Sequence, residues 1–215
     1  MSITLGVYDL FSYIVPGILY IYILNEFLTL FGFSHLELQN FDSIPILILI
    51  AIVSYILGQM MDLVADKWRR WHQNKEGTVD AIERLKKDHP ESKINFLPQD
   101  APFLFSLIRR DSPEFASTIE RNKALSKMLQ NISLGLLLYT FFQLASFAYN
   151  NFSIIHFLIA ILGFISALLA KRKSQLYNRW FYSHIYEIAL AYGNDINHII
   201  KRVQSDKLTN RKQPG

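Results

Sequence analysis

Four long apolar runs dominate the sequence and limit what this chain can fold into. Each run is close to the roughly 20 residues that an α-helix needs to cross the hydrocarbon core of a bilayer. We place the spans at Leu10–Leu30, Ile44–Leu63, Met128–Tyr149 and Phe152–Ala170. The chain is 51% hydrophobic, yet 19% of its residues are charged, and the two kinds are segregated along the sequence. The pattern therefore predicts an all-α, polytopic membrane protein with four transmembrane helices and a helical extension.

The positions of the basic residues orient these spans. All 22 Lys and Arg residues lie between the second and third spans or after the fourth, and the connectors 34–43 and 150–151 contain none. Because cytoplasmic loops carry the excess of Lys and Arg, both termini and the central loop are predicted to face the cytoplasm of a bacterial inner membrane. The basic charge then reflects topology, and we expect no nucleic-acid partner. The first run lacks the basic start and the cleavage pattern of a signal peptide, so we expect it to be retained.

Helix signals also occur outside the spans. The predicted helical segments are 64–76, 78–89, 103–109 and 113–127, the last with Ser112 as its cap and Pro113 at its first position. In the tail, apolar residues recur every three to five positions, which predicts a helical face that packs on a neighbour. These residues are Leu176, Trp180, Ile185, Ile188, Tyr192, Ile196, Ile199 and Val203. The expected organisation is a transmembrane hairpin over 1–64, a cytosolic helical region over 65–127, a second hairpin over 128–170 and a cytosolic helix and tail over 171–215.

Catalytic and metal-binding patterns are missing from the sequence. The chain has no cysteine, which excludes disulfides and thiolate metal sites. Its six histidines form no H-x3-H or H-E-x-x-H pair, and there is neither a G-x-S-x-G motif nor a glycine-rich phosphate loop. We therefore expect no enzymatic activity, no metal and no cofactor.

Basic and aromatic residues cluster just inside the predicted membrane boundary, in "KWRRW" and in "AKRK…NRWFY". Two interpretations are open: a binding site for an anionic lipid or another ligand, and the usual belt of interfacial aromatic and basic side chains. The residues are Lys67, Trp68, Arg69, Arg70, Trp71, Lys171, Arg172, Lys173, Arg179 and Trp180.

An ionisable residue, Glu26, lies inside the first span, where a charge costs at least a few kcal/mol. At 1.5 Å per residue, Glu26 lies roughly 24 Å along this span, near the depth of Gln143 in the third span and His156 in the fourth. We predict that Glu26 faces the bundle interior and hydrogen-bonds to Gln143 or His156. Such a cluster would either fix the helix register or line a path for protons or ions.

A proline interrupts the backbone hydrogen bonding of the first span. Pro16 has no amide to donate to Ser12, and Gly17 adds backbone freedom, so a bend is predicted there. The bend would be either a passive kink that fits the bundle or a gating hinge.

Small residues recur at helical spacing in two spans. Ser54 and Gly58 are four residues apart in the second span, and Gly163, Ala167 and Ala170 lie on one side of the fourth. Such pairs let helices approach closely. Both packing within the bundle and self-association are open at this point.

Three stretches, "YDLFSYIVPG", "SYILGQMMD" and "ERNKALSKMLQNISLGLLL", resemble a widespread group of small bacterial four-span membrane proteins. The group typically begins with an Asp-x3-Tyr-x2-Pro-Gly motif. Its counterparts here are Asp9, Tyr13, Pro16 and Gly17. Members often have Gly-His where this chain has Gly58-Gln59. Some members lie among anti-phage defence genes as membrane effectors or sensors.

The resemblance implies a non-enzymatic inner-membrane component of anti-phage defence, which oligomerises and perturbs the membrane on a cytosolic signal. The expected partners are the lipid bilayer, further copies of the chain, and a cytosolic protein or a small signalling ligand. Two alternatives are a small transporter or channel subunit and a membrane scaffold that anchors a soluble partner.

Overall fold

The computed structural model describes residues 3–30, 44–71, 77–90, 95–149 and 153–192. Within these ranges the chain is all-α and contains no strand. Its helices are α1 (Ile3–Leu30), α2 (Ile44–Arg70), α3 (Gly77–Asp88), α4 (Ala101–Asp111), α5 (Pro113–Tyr149) and α6 (Ile154–Ala191). Helices α1, α2, α5 and α6 are long and apolar enough to cross a membrane. The predicted fold class is confirmed.

Two of these helices are far longer than a bilayer requires. Helices α5 and α6 have 37 and 38 residues, which corresponds to about 55 Å at 1.5 Å per residue, against a hydrocarbon core of about 30 Å. The excess lies at the ends that carry the basic residues. As predicted, α5 begins at Pro113, and the carbonyl of Ser112 accepts a hydrogen bond from the amide of Ala116.

The described helices form two compact units. Unit 1 comprises Met1–Gln73 and Arg121–Tyr177, and it holds the four apolar spans. Unit 2 comprises Asn74–Glu120 and Asn178–Gly215, and it holds α3, α4, the start of α5 and the end of α6. Helices α5 and α6 therefore each contribute residues to both units.

Helices α1 and α2 form an antiparallel hairpin whose backbones touch. A Cβ added at Gly17 would lie 2.7 Å from the Cα of Ser54, and one added at Gly58 would lie 2.9 Å from the carbonyl carbon of Tyr13. Real Cβ atoms do not approach other atoms below 3.0 Å, so only glycine permits this crossing. The Ser54 and Gly58 pair therefore serves packing within the chain.

The small residues of α6 face α5. A Cβ at Gly163 would lie 2.9 Å from Oγ1 of Thr140, and the hydroxyl of Ser133 donates to the carbonyl of Ala167 at 2.7 Å. Gly163 and Ala167 are buried at this contact. They too let two helices of the same chain approach closely.

Unit 2 has an apolar core of its own. Its fully buried members include Leu104, Ile108, Ile119, Ile185 and Tyr186. Burial raises the pKa of the Tyr186 hydroxyl well above its usual value, and the ring packs against Phe96 at 5.3 Å between centroids.

The apolar stripe predicted for the tail is only partly the buried face of α6. Ile185 is buried, but Trp180 and Tyr192 are 41% and 36% exposed. The helix instead buries Asn178 and Ala189. Trp and Tyr are amphipathic, so their spacing alone does not show which face a neighbouring helix will cover. The rest of the stripe, 196–203, lies outside the described residues.

Candidate functional site

A polar network joins α1, α2 and α5 within unit 1. At its centre, Oδ1 of Asp62 on α2 accepts hydrogen bonds from the side-chain amides of Gln130 and Asn131 on α5, at 3.4 and 3.3 Å. The ammonium of Lys127 lies 3.9 Å from the other carboxylate oxygen of Asp62. The same ammonium donates to the hydroxyl of Tyr13 on α1 at 2.7 Å. Asp62 thereby ties all three helices together.

A second carboxylate, Asp66, extends this network by one turn of α2. Nη2 of Arg69 lies 2.7 Å from Oδ1 of Asp66, and Arg70 pairs with its other oxygen. Burial alone would raise the pKa of Asp66, but the hydrogen bonds and charges of the two arginines outweigh it and lower the pKa below its usual value. Nε of Arg69 also donates to Oε1 of Gln130 at 2.9 Å, so the two carboxylate centres are linked.

A half-buried lysine adds a further positive charge beside these residues. Lys123 lies on α5 before the apolar span that begins at Met128. The pKa of Lys123 is lowered to about 8, mainly by burial and to a smaller extent by the positive charges of Arg69 and Lys127. We refer to the following residues as the boundary network: Tyr13, Asp62, Asp66, Arg69, Lys123, Lys127, Gln130 and Asn131.

Side chains of α6 cap the end of α2 beside this network. The ammonium of Lys171 donates to the carbonyl of Trp71 at 2.9 Å and lies 4.0 Å from the ring centroid of Trp68. The amide of Gln175 donates to the carbonyl of Arg69 at 3.0 Å. These donors bond to carbonyls that have no hydrogen-bond donor within the helix at its C-terminus. The positive charge of the lysine also interacts favourably with the negative end of the helix dipole. Part of the predicted basic and aromatic cluster therefore has a structural role.

The other predicted members of that cluster are dispersed. Arg179 and Trp180 belong to unit 2, where Nε of Arg179 pairs with Asp80, and Asp80 also lies 3.6 Å from Nε of Arg84. Three of the residues are exposed to solvent: Lys67, Arg172 and Lys173. The structure thus brings together Trp68, Arg69, Trp71 and Lys171 and places Arg70 on Asp66.

Two of the three predicted intramembrane polar residues are in contact. Nδ1 of His156 lies 2.8 Å from Oε1 of Gln143, which is buried. Glu26 is half-buried and takes no part in that hydrogen bond. Its contact with the pair stays a prediction.

The predicted hinge residues lie within one uninterrupted helix. Helix α1 continues across Pro16, which is fully buried. Gly17 lies against the backbone of Ser54, where α1 and α2 approach each other closely. The close approach is a packing reason for Gly17. A hinge at Pro16 and Gly17 stays a prediction.

A polar cleft of about 260 Å³ opens in unit 2 between α3 and the end of α6. Arg84 and Asp88 line it from α3, and Arg179, His184 and Glu187 line it from α6. Charges of both signs on its walls suit a small polar ligand or a charged side chain of a partner protein.

Most of the boundary network was missed by the sequence analysis, although a signal was present. Tyr13, Asp62 and Lys127 each lie in a different one of the three stretches that carry the resemblance. Gln130 and Asn131 lie in the third stretch beside Lys127. The three stretches therefore meet at one network, which is the best candidate for a functional site in the described structure.

No protein-family model matches the chain, and neither a curated protein nor a solved structure shows significant similarity to it. Among the described residues there is also no group of three or more His, Asp or Glu side chains that could hold a metal ion. The resemblance to the four-span bacterial group therefore stays an expectation.

Proposed function

We propose that the chain is a non-enzymatic inner-membrane component, an effector or sensor, of a bacterial anti-phage defence system. On this proposal unit 2 lies in the cytosol and receives a signal, and the spans of several copies then perturb the membrane. One observation carries the mechanical part of the proposal: α5 and α6 are each a continuous helix that has residues in both units.

Continuous helices offer a direct way to couple the two units. Residues 113–120 of α5 belong to unit 2 and the rest of the helix to unit 1. A shift or rotation of the first part is transmitted along the helix, since small helix displacements are a common form of switching. Lys127, Gln130 and Asn131 lie on the same helix, so such a shift would act directly on their contacts with Asp62.

The polar cleft of unit 2 is our candidate for the place where a small signalling ligand or a protein side chain binds. The role in defence itself, and the oligomer, are supported by the resemblance of the three stretches that meet at the boundary network.

Expression of the chain with its neighbouring genes in bacteria, with a potential-sensitive dye, tests the proposal. We expect phage infection to cause depolarisation and growth arrest. Asp62→Asn should weaken both effects, because it removes the charge that holds Lys127. The matched control is Asp111→Asn, which removes a carboxylate whose described ion pair is with the adjacent Arg110.

Three outcomes would contradict this function. Infection without depolarisation would exclude an effector that perturbs the membrane. Benign expression with a co-purifying soluble protein would favour the scaffold, and substrate-dependent flux without growth arrest would favour a transporter or channel subunit.

A further inference from the structure

We propose that an apolar groove between α1 and α5 holds one acyl chain of a membrane phospholipid. The groove lies within unit 1 and has a volume of about 460 Å³. This inference rests on the chain lying in a bilayer and does not depend on a role in defence.

The walls of the groove are apolar side chains of these two helices. Leu24 and Phe27 line it from α1, and Leu138, Phe141 and Ala145 line it from α5. The four larger side chains among these are between 37% and 60% exposed, so the groove is open along its side. In a bilayer this open side faces the surrounding lipid, from which an acyl chain can enter.

The course of α2 explains why the groove is not covered by the chain itself. Helix α2 contributes Leu57 and Met61 to the lining, next to the close contact at Gly58. Towards its other end, all residues of α2 from Ile44 to Leu49 are exposed. Six consecutive residues make about 1.7 turns, so every face of this segment is exposed. This part of α2 therefore leaves the walls on α1 and α5 uncovered.

The groove lies at the depth of the hydrocarbon core. The hydrogen bond between Lys127 and Tyr13 places the starts of the first and third spans near one level. Phe27 and Ala145 each lie 17 residues beyond the start of their span, which corresponds to a depth of about 25 Å. Leu138 lies 10 residues beyond the start of the third span, at a depth of about 15 Å. Both depths are inside a core of about 30 Å.

The lining of the groove excludes water and favours hydrocarbon. Among the described lining residues, Tyr20 has the only side-chain hydroxyl, and this hydroxyl already donates to the carbonyl of Asn131 at 2.7 Å. A buried water needs two to four polar partners, which this lining does not supply. An empty groove would lose the dispersion contacts of its walls. A hydrocarbon chain restores these contacts without leaving a polar group unsatisfied.

The size of the groove decides between a lipid chain and a helix of a second copy. An apolar cavity of about 150 Å³ binds one benzene molecule, so a groove of about 460 Å³ has room for about 18 carbon atoms. That is the size of one acyl chain. A helix 10 Å wide fills about 420 Å³ in a single turn, so a transmembrane helix of a second copy is too large to lie in the groove.

Native mass spectrometry of the full-length protein, purified from bacterial membranes in neutral detergent, tests the proposal. We expect one retained phospholipid for each copy of the chain. Ala145→Phe should lower this retention about tenfold, because the added ring overpacks the groove. Phe141→Ala should lower it as well, because it removes part of one wall. Phe141 is 60% exposed, so this second variant leaves the packing between the helices intact.

Ala148→Phe is the matched control. It makes the same substitution at another exposed position of α5, and Ala148 does not line the groove. We expect this variant to retain lipid as the wild type does. Phosphatidylglycerol and phosphatidylethanolamine with the same acyl chains should be retained equally, because the groove contacts the chain and not the headgroup.

Unchanged retention in Ala145→Phe, or an equal loss in Ala148→Phe, would overturn the proposal, since either result would indicate unspecific lipid around the spans. If Ala145→Phe does not fold, unchanged retention in Phe141→Ala would overturn it. Lipid-free dimers of the wild type that Ala145→Phe dissociates would show that the groove takes a second copy. A strong preference for one headgroup would place the binding at the charged boundary, and the assignment to the groove would be wrong.

Discussion

Replacing Gly17 or Gly58 of the hairpin by alanine should destabilise the protein, whereas the same Gly→Ala change in an ordinary helix is stabilising. In an ordinary helix, replacing Gly by Ala stabilises by about 0.5–1 kcal/mol. At Gly17 the added methyl would lie 2.7 Å from the Cα of Ser54, although ordinary contact begins at 3.4 Å. The atoms it meets are backbone atoms, which no change of rotamer can move, so α1 and α2 would have to separate as whole helices.

The size of the effect follows from this clash. Overpacking costs typically 1–3 kcal/mol, occasionally more, and the loss of the close helix contact adds to it. We expect Gly17→Ala to lower the free energy of unfolding by about 3 kcal/mol, and Gly58→Ala by a similar amount. The double variant should lose less than the sum of the two, because helices already separated by one methyl accommodate the second.

Unfolding in mixed micelles with increasing denaturing detergent, followed by tryptophan fluorescence, measures these differences. Gly163→Ala is the matched control, since its added methyl would meet a side-chain atom and no backbone atom below 3.0 Å: the hydroxyl of Thr140 can rotate away at the cost of its hydrogen bond to the carbonyl of Leu136. We expect this variant to stay within about 1 kcal/mol of the wild type. If Gly17→Ala were as stable as Gly163→Ala, the backbone contact between α1 and α2 would be refuted.

Four further predictions concern topology, the intramembrane residues and pH. A reporter fused after Pro214 should indicate cytoplasm and one inserted at Gln39 periplasm; a cytoplasmic signal at Gln39 would exclude four spans. Glu26→Gln should leave expression and stability intact, because glutamine can keep a clamp of hydrogen bonds, and loss of proton flux in liposomes would instead indicate a proton path. Pro16→Ala should alter the response to infection if the bend gates the spans, and an unchanged response rules the hinge out. Lys123→Met should stabilise the protein at pH 7, in neutral detergent, by up to about 3 kcal/mol, because the folded state lowers the lysine pKa from 10.5 to about 8. Between pH 8 and pH 10.5 Lys123 is protonated more fully in the unfolded chain than in the folded one, so the stability of the wild type rises with pH in this range. The stability advantage of Lys123→Met should therefore vanish near pH 10.5. An advantage that persists above this pH would contradict the lowered pKa of Lys123.

The positions of the long helices could be predicted from the sequence because they depend on local properties. Apolar runs of bilayer length mark α1, α2 and the spans within α5 and α6, and Ser112 and Pro113 mark where α5 begins. The asymmetric distribution of Lys and Arg also predicts the orientation. These signals lie within a single run of residues, so they require no knowledge of the partner helix.

The candidate site was decided by the tertiary structure. Asp62 and Asn131 are 69 residues apart in the chain, and neither lies in a local sequence pattern that predicts a functional site. The same holds for Gly17 and Gly58, whose roles depend on which backbone crosses them, and for α6, where the neighbouring helices determine that Asn178 is buried and Trp180 is exposed. Hydropathy and helix signals act within a segment, whereas hydrogen bonds and close packing join segments, and only the fold determines which segments meet.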